Sequence, residues 1–369
     1  MKKVILSVTN DLLTDNRVHK VALSLQKIGF EVLLVGRKLP NSKAINKRTY
    51  KTHRMVLLFK KGPLFYAEYN IRLCLFLLFH KADIFLSNDL DSLPANYLTA
   101  KIRSKTLVFD SHEYFTQMPE LIHRPRVQSF WERTEQAILP KIKYAYTVCE
   151  SIASIYNEKY GTSFRVIRNI PEKTENVMVP DSKNLRIDDR KIILYQGALN
   201  IGRGLEYAIK AMQRISNVRL VIAGDGDISV PLRQLTTDLN LTDRVTFLGK
   251  IPLEEINIIT AQADLGLSIE EDLGLNYRFA LPNKLFDYIQ QQVPVLVSNL
   301  PEMKKIVTDY QIGMVLKNHD PKQMAEQFQE ALFNEEKRKG WKANLKNTAN
   351  ELCWENEEKV LFGIFRQLK

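Results

Sequence analysis

The chain has 369 residues, enough for two domains of ordinary size, and its 45% hydrophobic and 26% charged content excludes disordered and fibrous classes. The formal net charge is +11, and the excess lies wholly in the first 180 residues, where 28 Lys and Arg face 16 Asp and Glu, against 25 and 26 in the remainder. Such asymmetry implies an anionic partner for the first half, whether nucleic acid, membrane surface or charged ligand. The three cysteines, Cys74, Cys149 and Cys353, are far apart and show no metal-ligand spacing, so neither a disulfide framework nor a zinc site is supported.

In chain order, the apolar run after Met1 is too short for a signal peptide and reads as a first strand, Val4–Val8. Val18, Val21, Ala22, Leu25 and Ile28 follow at helical spacing, closed by Gly29. Further strands are expected at Val32–Val35, Met55–Phe59, Ile84–Ser87, Thr106–Asp110, Tyr144–Val148 and Arg165–Arg168. The most apolar stretch, Ile71–Phe79, falls well short of the ~20 residues that span a bilayer. A polar, proline-containing stretch without period, within Ile170–Arg190, reads as a linker. A second βα series then begins, with strands expected at Ile192–Gln196, Arg219–Ala223, Val245–Leu248, Leu265–Ile269 and Val295–Val297.

The expected fold is therefore α/β: two Rossmann-like, doubly wound parallel-sheet domains facing a cleft, covering residues 1–170 and 191–350, joined by a linker at 171–190. Residues 351–369 are expected to form a helix crossing back to the first domain. Ligands in such sheets sit beyond the carboxyl ends of the strands.

Four stretches carry chemistry. In Y-Q-G-A-L-N-I-G-R-G-L-E-Y-A-I, Gly197, Gly202 and Gly204 lie between a strand and a helix, where backbone N–H groups can approach a phosphate and Arg203 adds positive charge. The bland alternative is a tight turn with an exposed arginine. In A-L-P-N-K-L-F-D-Y-I-Q-Q-Q-V-P-V, Pro282 suits a helix entry, which puts Asn283 and Lys284 in the first turn. Lysine there opposes the helix dipole and makes sense beside an anion, unless it is simply solvated. Asp287, one turn on, can accept hydrogen bonds from a sugar diol. In V-F-D-S-H-E-Y, Asp110, His112 and Glu113 end a strand, where a histidine can donate a hydrogen bond or exchange a proton near neutral pH, or serve structure alone. In the first βα turn, Asp15 or Asn16 can cap a helix and Arg17 again wants an anion. G-D-G-D at 224–227 lacks the third glycine of a dinucleotide fingerprint, and Asp89-Leu-Asp91 reads as a helix cap more readily than a metal pair.

Taken together, these stretches resemble the GT-B glycosyltransferases, and within them the retaining family 4 enzymes (glycosyl transferases group 1), over nearly the whole chain. The resemblance implies a nucleotide-sugar held mainly by the second domain. By matching position, Gly197, Gly202 and Arg203 would lie at the diphosphate, Asn283, Lys284 and Leu285 at the diphosphate or sugar, Asp287 at the ribose, and Gly249, Lys250 and Ile251 at the base. His112 would contact the transferred sugar. Asn10, Asp15, Arg17 and Glu113 would form the acceptor side. The family's paired glutamates are incomplete, because the first falls on Phe279; Glu270 or Glu271 would replace it. Arg203, Lys284 and helix N-termini would stabilise the leaving diphosphate without a metal, and no cofactor is expected beyond a UDP- or GDP-sugar donor. The acceptor is expected to be a glycan or lipid-linked precursor of a cell-surface polysaccharide or glycolipid. A cytoplasmic location is expected, with peripheral contact to the anionic inner face of a membrane and no nucleic-acid partner. The alternatives are a nucleotide-sugar epimerase of the same fold and a non-catalytic anion-binding protein.

Overall fold

A computed structural model describes residues 1–13, 15–174 and 178–369. Position 14 in the first βα turn and positions 175–177 in the expected linker lie outside the described residues. The chain divides into two compact units, Met1–Asn169 together with Glu357–Lys369, and Ile170–Asn356.

The first unit is built on β1 (Lys3–Ser7), β2 (Glu31–Lys38), β3 (Lys51–Val56), β4 (Ile84–Asn88), β5 (Thr106–Ser111), β6 (Tyr144–Thr147) and β7 (Arg165–Val166). These lie in the order β3-β2-β1-β4-β5-β6-β7, and every pair is parallel. The second unit contains β8 (Lys191–Gln196), β9 (Val218–Ala223), β10 (Val245–Gly249), β11 (Leu265–Ser268), β12 (Val295–Val297) and β13 (Gly313–Val315), in the order β10-β9-β8-β11-β12-β13, again all parallel. Both sheets thus have a doubly wound order, with the chain reversing direction across the sheet between β1 and β4 and between β8 and β11. Loops at those switch points diverge and leave room for a ligand at the strand C-termini.

Burial explains the uniformly apolar strands. Every residue of β4 and β9 is buried, as expected for parallel strands covered on both faces. Along β8, Ile193 and Tyr195 enter one core with Leu205, Ile209 and Leu220, whereas Ile192 and Leu194 enter the opposite core with Leu285 and Tyr288. This is the two-residue alternation of a pleated strand. In the first unit, the helix Asn16–Lys27 buries Val18, Val21, Ala22 and Leu25 on one face. Within the same unit, Phe365 meets Phe30 edge-on at 5.8 Å, and Glu358 accepts from Ser24 at 2.6 Å and from Lys27 at 3.0 Å. Burial of Leu361, Ile364 and Phe365 contributes about 1.5–3 kcal/mol apiece.

Two elements differ from expectation. The strand expected at Met55–Phe59 runs instead over Lys51–Val56, because Lys51–Val56 pair with Leu33–Lys38 and the next amides leave the ladder. Leu58 and Phe59 donate their N–H groups to the Glu68 carboxylate at 2.9–3.0 Å. β13 is only three residues long, too short to display a period.

Candidate functional site

In the second unit, β8 ends at Gln196 and the chain runs through 197–204 into the helix Leu205–Ala211. Two glycines shape that passage. Gly204 has φ +70°, and a Cβ on it would lie 2.3 Å from the Ile269 carbonyl oxygen, so the loop presses directly on the end of β11. Gly197 has φ +133°, and a Cβ there would sit 3.3 Å from Lys284 Cε. The backbone thus leaves the lysine stem its place.

Lys284 is the second residue of the helix Asn283–Gln290. Its ammonium donates to Glu270 Oε1 at 2.7 Å and lies 4.2 Å above the Tyr195 ring. Glu270, just beyond β11, is fully buried, and its other oxygen accepts from Ser268 Oγ at 2.9 Å. Arg203 brings a guanidinium nitrogen to 3.5 Å from Glu270 Oε1. Burial opposes the charge on Lys284, but Glu270 outweighs it and holds the ammonium above its ordinary range. Burial likewise opposes charge on Glu270, and Lys284 followed by Arg203 holds its carboxyl below the usual range. Two cations therefore share one carboxylate, leaving a local excess of one positive charge. The cation that opposes the helix dipole at Lys284 has an internal partner. Arg203 is 26% exposed, stacks on Tyr277 at 5.4 Å, and has a buried Nε with no hydrogen-bond partner. A guanidinium offers five donors, so it retains capacity for a further anion.

The remaining residues expected around this site spread outward. Gly202 accepts the Glu271 N–H through its carbonyl at 2.9 Å, joining the glycine loop to the segment after β11. Asn283 is exposed at the first position of its helix. Leu285 is fully buried in the core, and its N–H donates to the Pro282 carbonyl at 3.1 Å. Asp287 accepts from Gln196 Nε2 at 2.9 Å, and Gln196 in turn accepts from Thr260 at 2.7 Å. Gly249 closes β10 and accepts the Gly224 N–H at 2.8 Å, with Lys250 exposed and Ile251 packed on the core. Phe279 caps the short helix Leu275–Arg278. Asp225 of G-D-G-D closes its own loop, accepting from Gly226 N at 2.9 Å and Ser229 Oγ at 2.6 Å.

In the first unit a chain of alternating charges lies at the ends of β4 and β5. Arg17 is 3% exposed and donates to both oxygens of the fully buried Asp110, the shortest contact being 2.7 Å, and to the Ile167 carbonyl at 2.8 Å. The anion that Arg17 wants is Asp110, from the same fold. His112 lies between Asp89 and Asp110, with Nδ1 3.3 Å from Asp89 and Nε2 3.3 Å from Asp110, and its N–H donates to Asp89 at 2.8 Å. Burial disfavours the imidazolium, but Asp89 and Asp110 outweigh burial and His112 is pushed up to about 9. The two carboxylates thus favour the imidazolium, in which both ring nitrogens donate. Burial also pushes Asp89 up to about 7 and Asp91 up to about 6. Asp15 caps the helix Asn16–Lys27 by accepting from Val18 N at 3.0 Å, and Asn10 donates to Asp15 at 2.5 Å. The Glu113 carbonyl accepts from Ser111 Oγ at 2.9 Å.

Sequence reasoning misses Asn88, whose Oδ1 lies 3.3 Å from His112 Nε2, Tyr195 and Gln196, and the role of Asp89 beside His112. The signal for Asp89 is its left-handed backbone, φ +59°, which turns its carboxylate under the His112 amide and is visible only in three dimensions. Asp91 accepts from Thr9 Oγ1 at 2.7 Å.

Comparison with known proteins agrees with this architecture. The family profile described as Glycosyl transferases group 1 matches residues 180–348, and that of Glycosyltransferase Family 4 matches residues 15–171. An uncharacterised glycosyltransferase of Methanocaldococcus jannaschii is 31% identical over 125 residues, spanning 32% of this chain but only 30% of that protein. The O-antigen chain mannosyltransferase RfbU of Salmonella typhimurium is 24% identical over 81% of this chain and 76% of its own. Among solved structures, sucrose-phosphate synthase of Thermosynechococcus elongatus superposes with TM-score 0.78 at 18% identity, covering 100% of this chain and 99% of that one. Anabaena HepE in complex with UDP does so with TM-score 0.76 at 14% identity, covering 100% of each. With both sheets doubly wound and the two profiles matching one unit each almost end to end, the chain belongs to the group 1 glycosyltransferases of GT-B fold.

Proposed function

We propose that the protein is a retaining hexosyltransferase that moves a sugar from a UDP- or GDP-sugar to a glycan or lipid-linked acceptor in cell-surface polysaccharide or glycolipid synthesis. The observation that carries this reading is the pair Arg203 and Lys284 on the single buried carboxylate of Glu270. Glycosyl transfer builds negative charge on the departing diphosphate. Fixed cations near a helix N-terminus and a glycine loop stabilise that charge without reorganising. On this reading Arg203 does most of the anion binding, because it alone combines exposure with an unused donor. Lys284 supplies a buried positive field, and no metal is required. Asp287, oriented by Gln196, would take the ribose hydroxyls. In the first unit His112, held charged by two carboxylates, would act as a hydrogen-bond donor and not as a base. Work on the cytoplasmic side, at the inner face of an anionic membrane, completes the reading.

The test is a thermal-shift screen of nucleotides and nucleotide-sugars. A ligand at a hundred times its Kd stabilises the fold by about 2.7 kcal/mol. The expected result is a shift with UDP or GDP and their sugars that Arg203→Ala removes. Absence of any shift with either nucleotide, or an unchanged shift in Arg203→Ala, overturns the assignment.

A further inference from the structure

The helix Gly62–Phe79 buries Phe65, Tyr69, Leu73 and Leu77 on its inner face. Its outer face is apolar as well: Leu64, Ile71, Leu75 and Phe79 are 59%, 62%, 52% and 84% exposed. Their spacing of seven, four and four residues puts them on one stripe roughly 22 Å long. The only charged residues of the helix are Glu68 and Arg72, paired at 2.8 Å. Glu68 also takes the amides of Leu58 and Phe59, which brings the 77% exposed Leu58 to the same face. Glu68, the one carboxylate of this helix, is therefore matched.

Cations frame the stripe. Lys60 and Lys61 are exposed before the helix and Lys81 after it. At its start lies an open pocket of about 240 Å³ whose lining includes Arg37, Lys38 and Lys60 together with Val56 and Phe59. The Arg37 guanidinium sits 4.4 Å over the Phe65 ring and donates to the Lys60 carbonyl at 3.1 Å. Apolar side chains beside the exposed Lys38, Lys60, Lys61 and Lys81 fit acyl chains beside phosphate headgroups.

We propose that this face, together with the Arg37–Lys38–Lys60 pocket, docks the protein on a membrane containing anionic phospholipid. The stripe enters the interface, and the cations take the lipid phosphates. The docking rests on the membrane side of the proposed function and not on the donor site. A second copy is disfavoured as the occupant, because a two-fold contact would set the same lysines against one another.

The test is cosedimentation of the full chain with vesicles of phosphatidylcholine alone and of phosphatidylcholine with phosphatidylglycerol in equal parts. The expected result is binding to the mixed vesicles that weakens about fivefold for each of Lys60→Ala and Lys61→Ala at low salt, the equivalent of about 1 kcal/mol per cation. Leu75→Gln with Phe79→Gln should weaken it at least tenfold. All four positions are exposed, and an unchanged nucleotide-induced thermal shift in each variant shows an intact fold. Equal binding to the two vesicle types overturns the proposal, as does a self-associated species that Leu75→Gln with Phe79→Gln converts to monomer. Either result leaves the nucleotide shift, and the donor-site reading with it, untouched.

Discussion

Replacing Lys284 by methionine separates the two roles of that residue. The substitution keeps most of the buried stem but leaves the fully buried Glu270 with Ser268 Oγ at 2.9 Å and Arg203 at 3.5 Å as its partners. Breaking a buried ion pair from one side costs about 3–5 kcal/mol, and the Arg203 contact puts this case near the lower end. At about 2–4 °C per kcal/mol for a unit of this size, the unfolding midpoint should fall by roughly 10 °C. Neutralising the other side as well, in Lys284→Met with Glu270→Gln, keeps the Ser268 hydrogen bond and removes the stranded charge. Stability should then return to within about 1–2 kcal/mol of the parent. Nucleotide affinity should return only in part, since Arg203 keeps the local net charge at +1 but the Lys284 ammonium is missing. Calorimetric unfolding and titration with UDP and GDP, run on the parent, both single variants and the double variant, form a complete cycle. Unchanged stability in Lys284→Met, or parental nucleotide affinity in the double variant, would refute the reasoning.

Further expectations follow from the same geometry. Arg203→Ala should lower sugar transfer by about 10²–10³ while moving the unfolding midpoint by only a few degrees, because its side chain is partly exposed and its contact to Glu270 is long; a large loss of stability would reassign it to structure. A raised folded-state pKa means that the His112 contribution is full below its unfolded value near 6.5 and disappears as pH climbs through about 9. Urea unfolding between those limits should therefore show a loss of up to about 3 kcal/mol that is missing in His112→Gln; parallel pH profiles for the two proteins would contradict it. Arg17→Met should destabilise the first unit by about 3 kcal/mol or more, and Arg17→Lys should recover little, since an ammonium cannot reproduce the two-pronged contact with Asp110. A lysine variant as stable as the parent in chemical denaturation would show that charge alone suffices.

The alternation of short apolar strands with helical periods made both sheets readable, and the glycine loop and the 283–287 turn could be placed because each follows a strand or opens a helix. Partners distant in sequence could not be read. Nothing near Arg17 announces that its anion is Asp110, 93 positions away, and the carboxylate facing Lys284 comes from the end of a different strand. Such pairings are decided when the sheet order brings strand ends together, after local pattern has had its say. The misplaced edge of β3 has a local cause of the same kind: an apolar run promises a strand, but a helix carboxylate claims the amides of Leu58 and Phe59. Histidine chemistry was legible as a residue type, whereas its protonation was not, because two carboxylates on different segments decide it.

Glu270 changes what it means for the site to be empty. A cationic pocket that relied on its ligand for neutrality would be left strained whenever that ligand departed, and turnover would be slowed by a product reluctant to leave. Here the counter-anion is permanent and sits behind Lys284, at 2.7 Å, in the protein interior. On the proposed reading, an incoming diphosphate would meet charge that is already half spent. It would gain less on arrival than two bare cations would give, and by the same margin it would be released more readily.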